Sequence, residues 1–403
     1  MSNQCGRGGR VPRGWCAALG LFGVFAGGLR GARADAIRVG MSGALTGPAQ
    51  GLGAGMRDGI EAYFRRVNRE GGVYGQTLEL LARDDAYEPS RTGPNIRALI
   101  DDDHVFAILG DPGTPTAAVA VPIANFAHVP FIAPFTGAAI LRKTPPDRYV
   151  FNLRASYQQE SNEIVRGLVD EAGIRPKDIA FFGQNDAYGD AGYSSVVKAL
   201  EARGYAKAGQ LPHGRYQRNT LDVEGALARL LDPSIHPRAI IMFGTFAPCA
   251  KLITLARSAG LNAIFVSVSF VGDQLNRALG AGGDGVVVTQ VVPPLDADLP
   301  ALAEYHALVP KADESYVSFE GFLAAKMFVA GLLRAGPGAT RERLVDALEE
   351  GGSLELGIGP LEPLSRARHQ VSDHVWPTIL RGGRFHALKR WSRSGRRRAG
   401  VDR

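Results

Sequence analysis

Two adjacent carboxylates, Asp84 and Asp85, follow an apolar run at 78–82 and are the chain's clearest candidates for acid–base work or a magnesium ion. Just past a strand end, the same pair serves equally well as acceptors for the backbone N–H groups of its own loop, and nothing beside it completes a reaction centre. Residues 51–56 (GLGAGM) approach a dinucleotide fingerprint, but Met56 stands where Gly or Ala is required. That stretch also begins about ten residues after its strand, too late for a tight strand-to-helix turn. No P-loop, Gly-x-Ser-x-Gly or His-Glu-x-x-His pattern occurs. The eight histidines are scattered, and His369 and His374, either side of Asp373 in a polar loop, are expected at the surface and not on a metal. Cys5 and Cys16 lie near the N-terminus and Cys249 stands alone, which leaves no intrachain disulfide and no cysteine metal cluster in the mature chain. Cys249 is expected to be a buried small hydrophobe near a helix start. No cofactor or metal is called for.

Binding chemistry remains. Seven segments, 42–51, 84–87, 110–116, 134–137, 184–189, 244–248 and 268–273, are rich in Gly, Ser, Thr and Pro, and several carry one aromatic: Phe135, Tyr188, Phe246 or Phe270. Small residues let a ligand reach backbone N–H groups, and aromatics give it an apolar wall. Each segment follows a predicted strand. Apolar runs predict strands at 37–41, 78–82, 105–109, 130–133, 179–183, 239–243, 263–267 and 285–289. Helical spacing predicts helices at 53–70, 115–127, 160–172, 189–203, 222–231, 248–259, 316–335 and 340–350, with another ending near Ile100. Strands alternating with helices imply right-handed βαβ units and parallel-rich sheets covered on both faces, an α/β fold whose ligands bind beyond the carboxyl ends of the strands.

The composition is ordinary for a globular chain, 45% hydrophobic and 21% charged over 403 residues, which excludes fibrous and wholly disordered classes. The net charge of +6 sits at the ends: five arginines and no acid lie in 1–34, and seven basic residues lie in 389–403. The segment between them is mildly acidic, so a nucleic-acid footprint is not expected. Arg7, Arg10 and Arg13, an uncharged stretch at 14–29 and Ala32-Arg33-Ala34 read as an export signal cleaved near Ala34. No later stretch approaches 18 consecutive apolar residues, and the basic end at 389–403 is expected to be a disordered, solvated tail.

With those residues in view, the chain resembles the type I periplasmic solute-binding proteins of ABC transporters, in the branch of the leucine/isoleucine/valine-binding protein. The resemblance spans about residues 36–388 and rests on 37–47 (IRVGMSGALTG), 71–75 (GGVYG), 82–86 (ARDDA), 105–110 (VFAILG), 130–141 (PFIAPFTGAAIL), 149–157 (YVFNLRASY), 184–189 (QNDAYG) and 316–322 (YVSFEGF). It implies two Rossmann-like lobes, 35–152 with 285–361 and 153–284 with 362–388, and a chain that crosses the hinge near 152–154, 283–285 and 360–363. It implies a non-enzymatic periplasmic protein that captures a small solute and passes it to a membrane permease with its ATPase.

By the same resemblance, Gly113, Thr114, Phe135, Thr136 and Gly137 hold a ligand carboxylate from one lobe, while Tyr157, Tyr188 and Phe246 add aromatic walls. The relatives use an acidic residue for the ligand ammonium where this chain has Ser269 or Phe270. An unpaired buried ammonium is costly, so a carboxylate with an apolar or aromatic body is expected over an α-amino acid. Two other readings share these features: an enzyme on a doubly wound fold, and a clamp that senses a ligand and signals to a membrane receptor.

Overall fold

The structure, a computed structural model, describes residues 36–392. The chain begins with alternating elements, all but the last of them predicted: β1 (Ile37–Gly43), α1 (Gln50–Arg69), β2 (Leu78–Asp84), α2 (Pro89–Asp101), β3 (Ala107–Leu109), α3 (Thr114–Phe126), β4 (Phe131–Ile132) and β5 (Val150–Phe151). These strands form one all-parallel sheet in the order β2-β1-β3-β4-β5.

The rhythm restarts with α4 (Tyr157–Val165), which continues as a π-helical turn at Arg166–Glu171. Ser156 caps α4 with a capping box, its hydroxyl accepting from the Gln159 N–H while the Gln159 side chain accepts from the Ser156 N–H. There follow β6 (Ile179–Gln184), α5 (Ala187–Glu201), β7 (His213–Tyr216), α6 (Glu224–Leu230), β8 (Ala239–Phe243), α7 (Phe246–Ser258), β9 (Ile264–Ser267), α8 (Gln274–Leu279) and β10 (Val287–Gln290). After α9 (Pro300–Leu308), α10 (Tyr316–Ala335) and α11 (Arg341–Glu350), a hairpin of β11 (Trp376–Arg381) and β12 (Arg384–Ala387) closes the second sheet, ordered β12-β11-β10-β9-β8-β6-β7. Strands β6 and β8 are buried at every position because helices cover both faces, and their side chains are apolar or small except Gln184, whose buried amide donates to Asp186 and accepts from the Tyr216 hydroxyl.

Three expectations need correction. Strand β10 is expected with the first lobe, but it pairs with β9 and β11, so the chain leaves the second sheet after Gln290 and not near 283–285. Residues 389–392 are not a free tail: Trp391 is 4% exposed, it lies on Gly167 in the π-helical turn, and its backbone N–H donates to Glu171 Oε2 at 2.9 Å. His369 is buried, not superficial; its ring stacks on Phe151 at 4.1 Å, with Nδ1 2.9 Å from the Val150 carbonyl and Nε2 3.2 Å from Glu349. The expected leader at 1–34 and residues 393–403 lie outside the described residues.

Helix α10 is long and apolar enough to cross a membrane by length and composition, yet it is a core helix packed along α1. At the crossing a Cβ on Gly59 would sit 1.9 Å from the Ser318 carbonyl, and one on Gly321 would sit 2.3 Å from that of Met56. Only glycine permits this approach. It fixes the height of Glu320 on α10 relative to the first sheet.

Candidate functional site

The loops after β3 and β4 are zipped together. Phe135 N–H donates to the Asp111 carbonyl at 2.9 Å, and Gly113 N–H returns a bond to the Phe135 carbonyl at 3.2 Å. Gly113 adopts φ +111°, a left-handed conformation that suits glycine, and so turns the chain into α3. This pairing sets Thr114 against Thr136, with their hydroxyls 2.7 Å apart, and the Thr136 hydroxyl donates to the Tyr157 phenol at 3.3 Å. Tyr157 is seated by its own N–H, which donates to the Gly137 carbonyl at 2.8 Å. Three hydroxyls own three protons, and two mutual bonds use two of them, which leaves one donor for a ligand. Burial raises the Tyr157 phenol above its ordinary range, so it remains a neutral donor.

The second sheet contributes Tyr188, at the start of α5 where Asp186 caps the helix, and Ser269 and Phe270, just past β9. The Phe270 ring lies 4.8 Å from Tyr188, 5.4 Å from Phe135 and 6.1 Å from Tyr87 between centroids. Tyr157 and Tyr188 are 5.6 Å apart. Aromatics from the ends of both sheets therefore meet in one buried cluster, and the Tyr188 hydroxyl has no hydrogen-bond partner among the described residues. Phe246 is the exception: at the start of α7 it is half-buried against the apolar cluster on the other face of the second sheet. Nine of the ten predicted positions thus gather, and Tyr87, which the sequence pattern does not single out, joins them.

A charged group at the same place carries no such signal either. Arg154 is fully buried just beyond β5, with its guanidinium 4.5 Å from the centre of the Phe135 ring. Its Nε lies 3.1 Å from Glu320 Oε1, and Nη2 donates to the Ser269 hydroxyl. Ser269 in turn donates through N–H (2.9 Å) and hydroxyl (3.1 Å) to Glu160, whose carboxylate also takes the Thr289 hydroxyl at 2.6 Å. An acid does therefore stand at Ser269, supplied in space by α4, with its lone pairs already engaged. Burial raises the Glu160 carboxyl, and it pushes Glu320 up to about 7 against the opposing pull of Arg154. Arg142, which donates to the Arg154 carbonyl at 3.0 Å, falls to about 9 through burial and the Arg154 charge.

Over the cluster the two sheets are tied by polar bonds. Arg218, past β7, bonds Glu88 at 2.8 Å and Asp186 at 2.9 Å; Asn219 donates to the Ala86 carbonyl at 3.0 Å and to Glu88 at 2.7 Å. Asp84 and Asp85 act as loop acceptors: Asp84 takes the N–H groups of Leu45, Thr46 and Ala86, and Asp85 takes that of Tyr87 and the hydroxyls of Ser42 and Thr92. No metal-competent cluster exists among the described residues. Cys249 is buried inside α7, and burial raises its thiol to about 12. A cavity of about 460 Å³, lined in part by Arg38, Tyr74, His104 and Arg341, lies at the amino-terminal edge of the first sheet and contains none of the predicted site residues.

The family model described as "Periplasmic binding protein" matches residues 36–383. The chain belongs to that family. A solved structure of a possible leucine/isoleucine/valine-binding protein from Rhodopirellula baltica SH 1 is 42% identical with TM-score 0.83, covering 88% of this chain and 97% of that one. A Leu/Ile/Val-binding protein of Rhizobium johnstonii is 23% identical over 339 residues, 81% of this chain and 87% of its own. A solute-binding protein from R. palustris, solved in complex with benzoate, shares the fold at 21% identity and TM-score 0.73, over 88% of this chain and 95% of that chain. The periplasmic binding protein family consists of non-enzymatic solute-binding proteins, and its members named here serve small ligands. The type I binding-protein fold expected from the sequence is the observed one.

Proposed function

We propose that this chain is the exported solute-capturing component of an ABC importer, and that it takes a small carboxylate with an apolar or aromatic body between its two lobes. The observation that carries this reading is the hydroxyl chain Thr114–Thr136–Tyr157 set beside the rings of Phe135, Phe270 and Tyr188. Hydroxyl donors hold a carboxylate oxygen, and the rings cover the rest of the molecule. An α-amino acid fits less well, because Glu160 already accepts three hydrogen bonds and has little left for an ammonium. The lobes are taken as the two sheets with their helices, with α9–α11 on the first. Export through the segment at 1–34 and delivery to a permease with its ATPase complete the role.

Calorimetry with matched pairs tests the ligand class. Benzoate should bind more tightly than benzamide, since bonds to a charged acceptor contribute about 1.5–3 kcal/mol, more than neutral ones. Thr114→Val should weaken the acid by roughly ten- to hundredfold, at about 1.4 kcal/mol per decade, and the amide by less. Equal affinity for acid and amide, or a clear preference for leucine, would contradict the reading.

A further inference from the structure

We propose that Arg154 is the residue that pairs with the anionic end of the solute, which makes the ligand class an organic anion seated between Phe135 and Ser269. This inference rests on the capture role proposed above.

Arg154 is 0% exposed, yet its Nη1 has no hydrogen-bond partner among the described residues. Buried guanidinium N–H groups are seldom left unpaired, because each forfeits the water it had in the unfolded chain. Were Arg154 a purely structural ion pair, its two acids would satisfy it. They do not. Glu160 spends its oxygens on Ser269 and Thr289, so it reaches Arg154 only through the Ser269 hydroxyl. Glu320 faces Nε alone.

The remaining edge of the fork lies beside the aromatic cluster, since the guanidinium rests on Phe135 and Phe135 packs on Phe270. On the far side of Phe270 stands the second orphan, the Tyr188 hydroxyl. The Arg154 Nη1 and the Tyr188 hydroxyl, both buried, both without a hydrogen-bond partner among the described residues and joined by three rings, form a built site. A planar fork suits a carboxylate, which takes parallel N–H bonds that a single hydroxyl cannot offer. The charge balance agrees: Arg154 and Arg142 face Glu160 and Glu320, and burial disfavours ionisation of both acids, so the group tends toward net positive.

The test titrates benzoate and benzamide calorimetrically into the wild type, Arg154→Gln and Glu320→Gln, and records melting temperatures in acetate against chloride at equal ionic strength. Arg154→Gln should lose at least tenfold in benzoate affinity and less than twofold in benzamide affinity. Glu320→Gln, which removes the competing carboxylate, should bind benzoate severalfold more tightly. A folded Arg154→Gln that binds benzoate like the wild type, or loses acid and amide equally, overturns the assignment and leaves the capture role standing. If Arg154→Gln does not fold, Glu320→Gln decides: tighter benzoate supports the assignment, and unchanged or weaker benzoate overturns it. A wild type that ignores benzoate but melts higher in acetate, with that gain lost in Arg154→Gln, supports Arg154 and removes the aromatic-body reading. A wild type indifferent to both anions overturns the assignment.

Discussion

At the residue scale, the buried carboxyl of Glu320 carries a stability consequence. Its pKa is raised from the ordinary 4.5 to about 7, chiefly by burial, with Glu160 adding to the rise and Arg154 and Arg142 opposing it. The folded state therefore holds this proton more firmly than the unfolded chain does. The stability it contributes is full below about pH 4.5 and is lost as the pH climbs through 7, with each tenfold gain in proton affinity on folding contributing about 1.4 kcal/mol. Glu320→Gln mimics the protonated form, so the variant should be more stable than the wild type at pH 8 and close to it at pH 5. Urea denaturation at the two values checks this, and a wild-type advantage at pH 8 would show that the ion pair with Arg154 outweighs burial. The legibility of residues divides along the same line. Thr114, Thr136, Tyr188 and Phe270 are readable because each follows a strand, where loop composition announces a cleft. Arg154 is not: a lone arginine in a loop has no periodic signal, and its contact Ser269 lies 115 residues on.

At the scale of elements, apolar runs and helical spacing locate the strands and helices around the site, with β8 and α10 matching their predicted bounds. The two-residue β5 and the half-buried β7 escape notice because the first is too short to stand out as an apolar run and the second carries His213 and Arg215 at alternate positions. The β11–β12 hairpin goes unpredicted although Gly382-Gly383, both at positive φ, supply its turn. The basic character of the C-terminal end conceals Trp391, whose ring covers Gly167 on the π-helical turn. That packing makes the segment part of the second lobe. Trp391→Ala should cost about 3–5 kcal/mol in urea denaturation, as for other buried large-to-small changes. A change below about 0.5 kcal/mol, the range for surface substitutions, would mean that the tryptophan contributes nothing to folding.

At the scale of the whole molecule, the contacts between the ends of the two sheets describe a closed clamp. Phe270 meets Phe135 and Tyr87, and Arg218 and Asn219 reach across to Ala86 and Glu88. Partly exposed polar ties of this kind contribute roughly 0–1 kcal/mol each, too little to hold the lobes shut alone. On the proposed capture role, a solute that touches both sides shifts the population toward closure by its differential affinity. The direct measurement is small-angle X-ray scattering on the protein freed of ligand and then saturated with the tightest-binding carboxylate from calorimetry. The ligand-free radius of gyration should exceed that of the closed arrangement, and saturation should bring it down to that value. An identical radius before and after proven saturation would contradict a clamp that closes on its solute.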